Sequence, residues 1–337
     1  MKALVYTGPE TLEYRSVPDP EPKADEVLVQ ISCTGICGSD MHAYLGHDER
    51  RPAPLILGHE VAGTIVSGAS TGQRVTVNPL VTCGTCPACQ KGRDNLCPDR
   101  QIISMQPREG GFADYLAMPE KNLVPIPDHV SDFQAALAEP IACGWHAARL
   151  ARRALDTNWS EPSALVIGGG AIGVGAALSL KAQGVADVRV IEPNSDRAKL
   201  LSDNCGLSVL SPDDAPNAGQ VDIIIDGVGY AATRATASAS VKPGGVIAHI
   251  GLGSSQGGLD IRRMTLQEIT FLGTYTYTAK DFRDTASAIF DGRLGAVGWV
   301  DIRPLSDGSS AFSDLRAGRV AAPKILLKPE LTGDIHV

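Results

Sequence analysis

The sequence predicts an α/β protein in which a doubly wound parallel-sheet domain is set inside a discontinuous, β-rich one. Three observations carry that expectation. A chain of 337 residues is longer than one hydrophobic core usually serves, so two domains are expected. The first 140 or so residues read as short strands cut by Gly and Pro. From Ala164 to about Thr274, apolar runs then alternate with Ala-rich helical stretches. That βαβα order implies a parallel sheet covered on both faces.

Taken in order, Val27, Val29 and Ile31 alternate with polar neighbours as a half-buried strand does. Further short strands are expected at 61–66, 74–77 and 112–118, a spacing that suits a compact barrel-like unit. The parallel sheet is expected to use strands at 164–168, 188–192, 207–210, 221–226, 246–251 and 269–273. Helices are expected at 171–183, 195–204 and 231–241. Beyond Asp281 the pattern is mixed, and a strand at 325–327 is expected to rejoin the first domain. The expected division is 1–143, 144–280 and 281–337, the last returning to the first domain.

Composition narrows the function. Hydrophobic residues make up 43% and charged residues 20%, with no apolar run near the roughly 20 residues of a membrane span. A net charge of −8 without a Lys/Arg block disfavours nucleic acid as a partner. The start MKALVYTG lacks a basic segment followed by an apolar one, so an intracellular, reduced, cytoplasmic protein is expected.

Cys83, Cys86, Cys89 and Cys97 form C-x2-C-x2-C-x7-C, four thiols in fifteen residues. In a reducing compartment such spacing argues for metal rather than disulfides. Four sulfurs converging at about 2.3 Å would close the coordination of one Zn²⁺, leaving no position for chemistry. The lobe 79–100 is therefore expected to be structural, and the function to lie elsewhere.

Gly168, Gly170 and Gly173 complete G-x-G-x-x-G after a strand and, with Ala171 and Ile172, open a helix. Gly168 permits the tight turn, Gly170 the approach of a pyrophosphate, and Gly173 close packing of helix on sheet. The phosphates would sit on the helix N-terminus. Alone such a motif is weak, but the next strand ends in Glu192, 19 residues past Gly173. An acid there accepts from the ribose hydroxyls and repels a 2′-phosphate, so NAD is expected over NADP. Arg197 is a second candidate for the ribose.

Cys37, His59 and Glu139 are bland singly. Together with Glu60 they supply sulfur, nitrogen and carboxylate oxygen, the mixture of a catalytic zinc that keeps a position open. At this point the chain resembles the zinc-dependent medium-chain dehydrogenases. The likeness rests on G-I-C-G-S-D-x-H, G-H-E-x-x-G, the four-cysteine run, A-E-P and G-x-G-x-x-G in that order over nearly the whole chain. Ala138-Glu139-Pro140 is similar to the polyol branch, which includes sorbitol and L-idonate dehydrogenases.

The resemblance implies a GroES-like catalytic domain interrupted by a Rossmann domain, with the active site between them. It implies two Zn²⁺ per chain, NAD, a small alcohol or polyol substrate, and a homodimer or homotetramer. It makes Cys37 and His59 zinc ligands and divides the remaining protein role between Glu60 and Glu139 without saying which binds metal. Asp40 would orient His59, and Ser39 with His42 would form the proton relay while a hydride passes to the nicotinamide. Where sorbitol-type and idonate-type enzymes carry a Phe-Arg-Tyr-like triplet, this chain has Tyr275-Thr276-Tyr277. That leaves room for a smaller diol, another sugar alcohol or a sugar-derived hydroxyl.

L-threonine and butanediol dehydrogenases are the close rivals. A zinc-free quinone or enoyl reductase is disfavoured by Cys37, His59, Glu60 and the four-cysteine lobe. A non-catalytic relative is disfavoured by the intact Ser39 and His42. Tyr44 is read as pocket-lining or packing, and Cys33, Cys143 and Cys205 as buried thiols. His129, His146, His249 and His336 show no constellation in the sequence.

Overall fold

The structure is a computed structural model that describes residues 1–155, 161–215 and 219–330. His336 lies outside the described residues. The chain divides into two compact units. The first takes Met1–Glu139, Val300–Val320 and the chain from Lys324, and the second takes Pro140–Trp299 with Ala321–Pro323.

In the first unit, strand Glu26–Gly35 is central. It pairs antiparallel with Glu60–Ile65, Tyr115–Pro119 and Lys324–Lys328. Outward lie Arg74–Val77 and Leu123–Pro125 on one side and Val300–Pro304 on the other. The apolar alternation of the central strand buries Val27 and Val29 with Ile65 and Val75, and Ile31 with Val61, Val77 and Met118. A shift in register between Ile31 and Cys33 turns the end of the strand toward Gly35. A smaller sheet joins Thr11–Ser16, Lys2–Gly8 and Leu55–Ile56. Tyr44 is buried with its ring 5.2 Å from that of Phe312, so its role is packing.

The second unit holds six parallel strands. Their order is Ser208–Leu210, Asp187–Ile191, Ser163–Ile167, Val221–Asp226, Val241–His249 and Thr270–Gly273. The sequence order therefore reverses at Ser163–Ile167, the place where open α/β sheets bind ligands beyond their strand ends. Helix Ala171–Ala182 is buried from Gly173 to Leu180, as a mostly apolar helix must be. Ser195–Cys205 starts on an Asn194 cap and ends on Gly206 in the left-handed region, φ 58°.

Seven helices among the described residues were not expected from the sequence, the longest being Ala138–Ala154, Ala279–Phe290 and Gly308–Arg316. Pro140 reads as a breaker, yet it falls in the first turn, where its missing N–H costs nothing. The second unit also continues past 281 to Trp299. Asp281 explains this, because it is bound to the helix that opens the unit. It is 1% exposed and accepts from His146 Nδ1 at 2.7 Å, Arg149 Nε at 2.6 Å and Thr278 Oγ1 at 2.7 Å. His146, which shows no partner in the sequence, thus has a buried one.

Burial alone would raise the Asp281 carboxyl, but bonds from His146, Arg149 and Thr278 hold it far below the usual carboxylate range. A depressed folded pKa gives stability that is present above about pH 4 and is lost as the pH falls below it. Asp281→Asn is therefore expected to flatten the acid limb by up to about 1.4 kcal/mol per pH unit, measured by urea unfolding between pH 5 and pH 3. Parallel acid limbs for the two proteins would contradict the assignment.

Candidate active site

Helix Gly38–Tyr44 sets the first group of residues. Asp40, at its third position, reaches back to accept from the Cys37 N–H at 3.0 Å and so fixes the turn that presents the thiol. Its other oxygen accepts from Gly58 N at 3.2 Å and stands 3.4 Å from His59 Nδ1. The buried Asp40 is thus bonded to the two stretches that carry Cys37 and His59. Burial would raise its pKa, but His59, the Arg51 cation and the Cys37 N–H hold it below the usual range. His59 is pulled down by burial and pushed up more strongly by Asp40 and Cys37, ending well above an ordinary histidine.

Glu60 opens the strand Glu60–Ile65 and pairs in register with Gly35. A Cβ at Gly35 would lie 1.9 Å from Glu60 Oε2, so only glycine leaves room for this carboxylate. Oε1 accepts from the buried Lys324 Nζ at 2.6 Å, while Oε2 is buried without a hydrogen-bond partner. Donor atoms of Cys37, His59 and Glu60 all lie within 4.8 Å of one another. A thiol, an imidazole and an otherwise unpartnered carboxylate oxygen at this depth fit a zinc ion with an open position. Glu139 is outside this trio but buried, and it is close enough for its charge to raise Lys324.

Ser39 and His42 stand three apart on the same helix, hence on one face. Ser39 is half-buried and His42 exposed. Cys83, Cys86, Cys89 and Cys97 also converge. Their sulfurs are 3.5 Å apart for Cys83–Cys97 and Cys86–Cys89 and 3.9 Å for Cys83–Cys89. Those separations bracket the roughly 3.8 Å edge of a tetrahedron built on 2.3 Å Zn–S bonds. N–H groups of Thr85 and Cys86 aimed at Cys83 bring its thiol down to about 6, whereas burial pushes Cys89 up to about 12 and raises Cys97 as well. Cys33 is fully buried, whereas Cys143 and Cys205 are half-buried.

In the second unit the glycine loop has the expected shape. Gly168 has φ 99°, and a Cβ at Gly173 would lie 1.7 Å from Gly168 O. Gly170 precedes Ala171 and Ile172 at the helix start, and a Cβ there would meet nothing, which leaves a cradle for phosphate. Glu192 accepts from Gly169 N and Asn194 N, both at 2.8 Å, so its carboxylate is fixed beside the loop. Arg197 Nη1 lies 3.7 Å from Glu192, and its Nε donates to Ala321 O at 3.1 Å.

Other participants were not legible in the sequence. Asp226 accepts from Val228 N, Gly229 N and Thr233 Oγ1 and faces His249 Nδ1 at 3.1 Å, giving that histidine a partner too. Thr276 has φ 45°, an unusual state for a β-branched residue, and its buried hydroxyl has no partner. The Tyr275-Thr276-Tyr277 departure is thus a strained turn whose last ring is packed on Phe282. Arg51 and Lys324 each lie buried beside the metal-type cluster, and nothing in the sequence singles either out.

Comparison with known proteins gives the family. Residues 23–128 match the alcohol dehydrogenase GroES-like domain, and residues 171–291 match the zinc-binding dehydrogenase family. The chain is 32% identical over 311 residues to the L-galactonate-5-dehydrogenase of Escherichia coli K12, covering 88% of this chain and 89% of that protein. It is 34% identical over 313 residues to the sorbitol dehydrogenase of Bacillus subtilis 168, covering 86% and 87%. An Escherichia coli CFT073 alcohol dehydrogenase structure with NADH superposes at TM-score 0.87 and 25% identity, over 97% of this chain and 99% of that one. A Sinorhizobium meliloti 1021 zinc-binding dehydrogenase bound to NADP gives TM-score 0.87 and 27% identity, over 97% and 99%. The chain accordingly belongs to the zinc-dependent medium-chain dehydrogenases, in their polyol branch, and is an NAD(P)-dependent alcohol or polyol oxidoreductase.

Proposed function

We propose that the chain oxidises a secondary hydroxyl of a small polyol or sugar acid to a ketone, reversibly, with NAD as the preferred acceptor. One observation carries the reading: Cys37, His59 and Glu60 bring three different donors together around a buried, unpartnered Glu60 Oε2. These three residues would hold the catalytic ion, with Glu139 near enough to act through a water. Cys83, Cys86, Cys89 and Cys97 would hold the structural one. The bound zinc supplies a Lewis acid that acidifies the substrate hydroxyl, and the dinucleotide supplies the hydride acceptor.

The chain's own residues do the rest. Asp40 keeps the His59 ring oriented. Ser39 Oγ takes the hydroxyl proton, and His42, exposed at the next turn, delivers it to solvent. Gly168, Gly170 and Gly173 seat the pyrophosphate on the N–H groups of Ala171 and Ile172. Glu192 accepts from the ribose hydroxyls, and Arg197 steadies Glu192.

The substrate class is supported by the names of the two curated relatives, both dehydrogenases of polyhydroxylated chains. Turnover of polyols, sugar acids, diols and L-threonine with either cofactor tests it, and exclusive use of L-threonine would displace it. Glu192→Ser is expected to erode the preference for NAD over NADP by about tenfold or more, read as the ratio of kcat/KM values. An unchanged ratio would remove Glu192 from the ribose site.

No described helix is long and apolar enough to cross a membrane. Eight free cysteines suit a reducing cytoplasm. A homodimer or homotetramer fits the terminal strand Thr270–Gly273 and the exposed Leu252, Ile261 and Leu266 of the same unit, and light scattering checks it.

A further inference from the structure

Arg51 is 2% exposed, a depth at which a guanidinium persists only when its donors are met. Its Nε donates to Ser104 O at 2.9 Å, Nη1 to Ser39 O at 2.7 Å and to Asp48 Oδ2 at 3.3 Å, and Nη2 to Ser39 Oγ at 3.4 Å. Ser104 is fully buried at φ 65°, and its own hydroxyl stands 3.4 Å from His59 Nδ1. One planar cation therefore joins the turn carrying Ser39 to the residue that touches the His59 ring. A lysine has no fork with which to span those two carbonyls.

We infer that Arg51 is a positioning residue that sets the direction in which Ser39 passes a proton; this rests on the relay role proposed above for Ser39. A guanidinium offers donors and no acceptor. The Ser39 hydroxyl beside it can only accept from Nη2, so its own proton points away from Arg51. Its second lone pair faces that same way. The carbonyl bond at 2.7 Å fixes the backbone from which this hydroxyl projects. Arg51 thus orients a group that it does not replace, and its effect exists only while Ser39 is present.

A double-mutant cycle isolates that dependence. The zinc-loaded wild type, Ser39→Ala, Arg51→Met and the double variant are compared at saturating NAD with the polyol that turns over fastest in the screen. Arg51→Met is expected to lower kcat by about tenfold when Ser39 is present and less than twofold in the Ser39→Ala background. NADH affinity, titrated by fluorescence, should not move. Arg51→Lys should resemble Arg51→Met, and full recovery by lysine would overturn the inference. Equal losses in both backgrounds would also overturn it. Loss of the second metal in Arg51→Met and Arg51→Lys, read from cobalt-substituted spectra, would make Arg51 a scaffold of the metal centre and overturn it as well. Full turnover by Ser39→Ala would instead remove the relay reading itself, a result distinct from the other three.

Discussion

Replacing Cys37 or His59 by alanine is expected to reduce bound zinc from two ions per chain to one and to lower alcohol-dependent NADH formation by on the order of 10³-fold or more. The magnitude follows from charge. Lewis-acid stabilisation of a developing alkoxide is worth several kcal/mol, and each 1.36 kcal/mol is a factor of ten in rate. The stoichiometry follows from geometry. Cys37 and His59 share no residue with the group formed by Cys83, Cys86, Cys89 and Cys97, so removing one donor set leaves the other whole. Elemental analysis with steady-state kinetics decides the matter. Retained turnover in a variant holding a single zinc would refute the assignment of Cys37 and His59.

The second large effect concerns Lys324. Its Nζ is 3% exposed as a residue and donates to Glu60 Oε1 at 2.6 Å and Ile36 O at 2.8 Å. Breaking a buried ion pair by removing one partner costs about 3–5 kcal/mol, because the remaining charge is left in a poor solvent. Lys324→Met is expected to cost that much in urea unfolding of the metal-free protein. The double change Lys324→Met with Glu60→Gln should recover much of it, since the stranded charge is then gone. A single-variant loss below about 1 kcal/mol would place the pair among weakly contributing surface bridges.

How far the sequence reveals these features depends on how local their signals are. The four cysteines fall within fifteen residues, so their spacing is a local signal, while Gly168, Gly170 and Gly173, within six, need only the nearby Glu192 to become one. The parallel strands are equally legible, because an apolar run buried on both faces looks alike wherever it lies. Arg51, Ser104, Asp226 and Lys324 give no such signal. Each is an ordinary polar residue whose meaning comes from a partner remote in sequence: Ser104 for Arg51, Ile36 and Glu60 for Lys324, His249 for Asp226. Helix Ala138–Ala154 was hidden for another reason, since Pro140 signals a break unless its place in the first turn is already known. Glu60 and Glu139 are both candidates in the sequence; that Glu60 is the one beside Cys37 and His59 comes from the register that sets it opposite Gly35, and register is invisible in a single strand.

The bond from Lys324 to Glu60 spans 264 residues, which has a consequence for biosynthesis. At ribosomal speeds of 5–20 residues per second, roughly ten seconds to a minute separate the emergence of the acid from that of its cation. During that interval the growing polypeptide carries Cys37, His59 and Glu60 without the lysine that neutralises one of them. The strand Lys324–Lys328 that completes the sheet beside Glu26–Gly35 emerges with that lysine, so this unit closes only when the last stretch of the chain has been made.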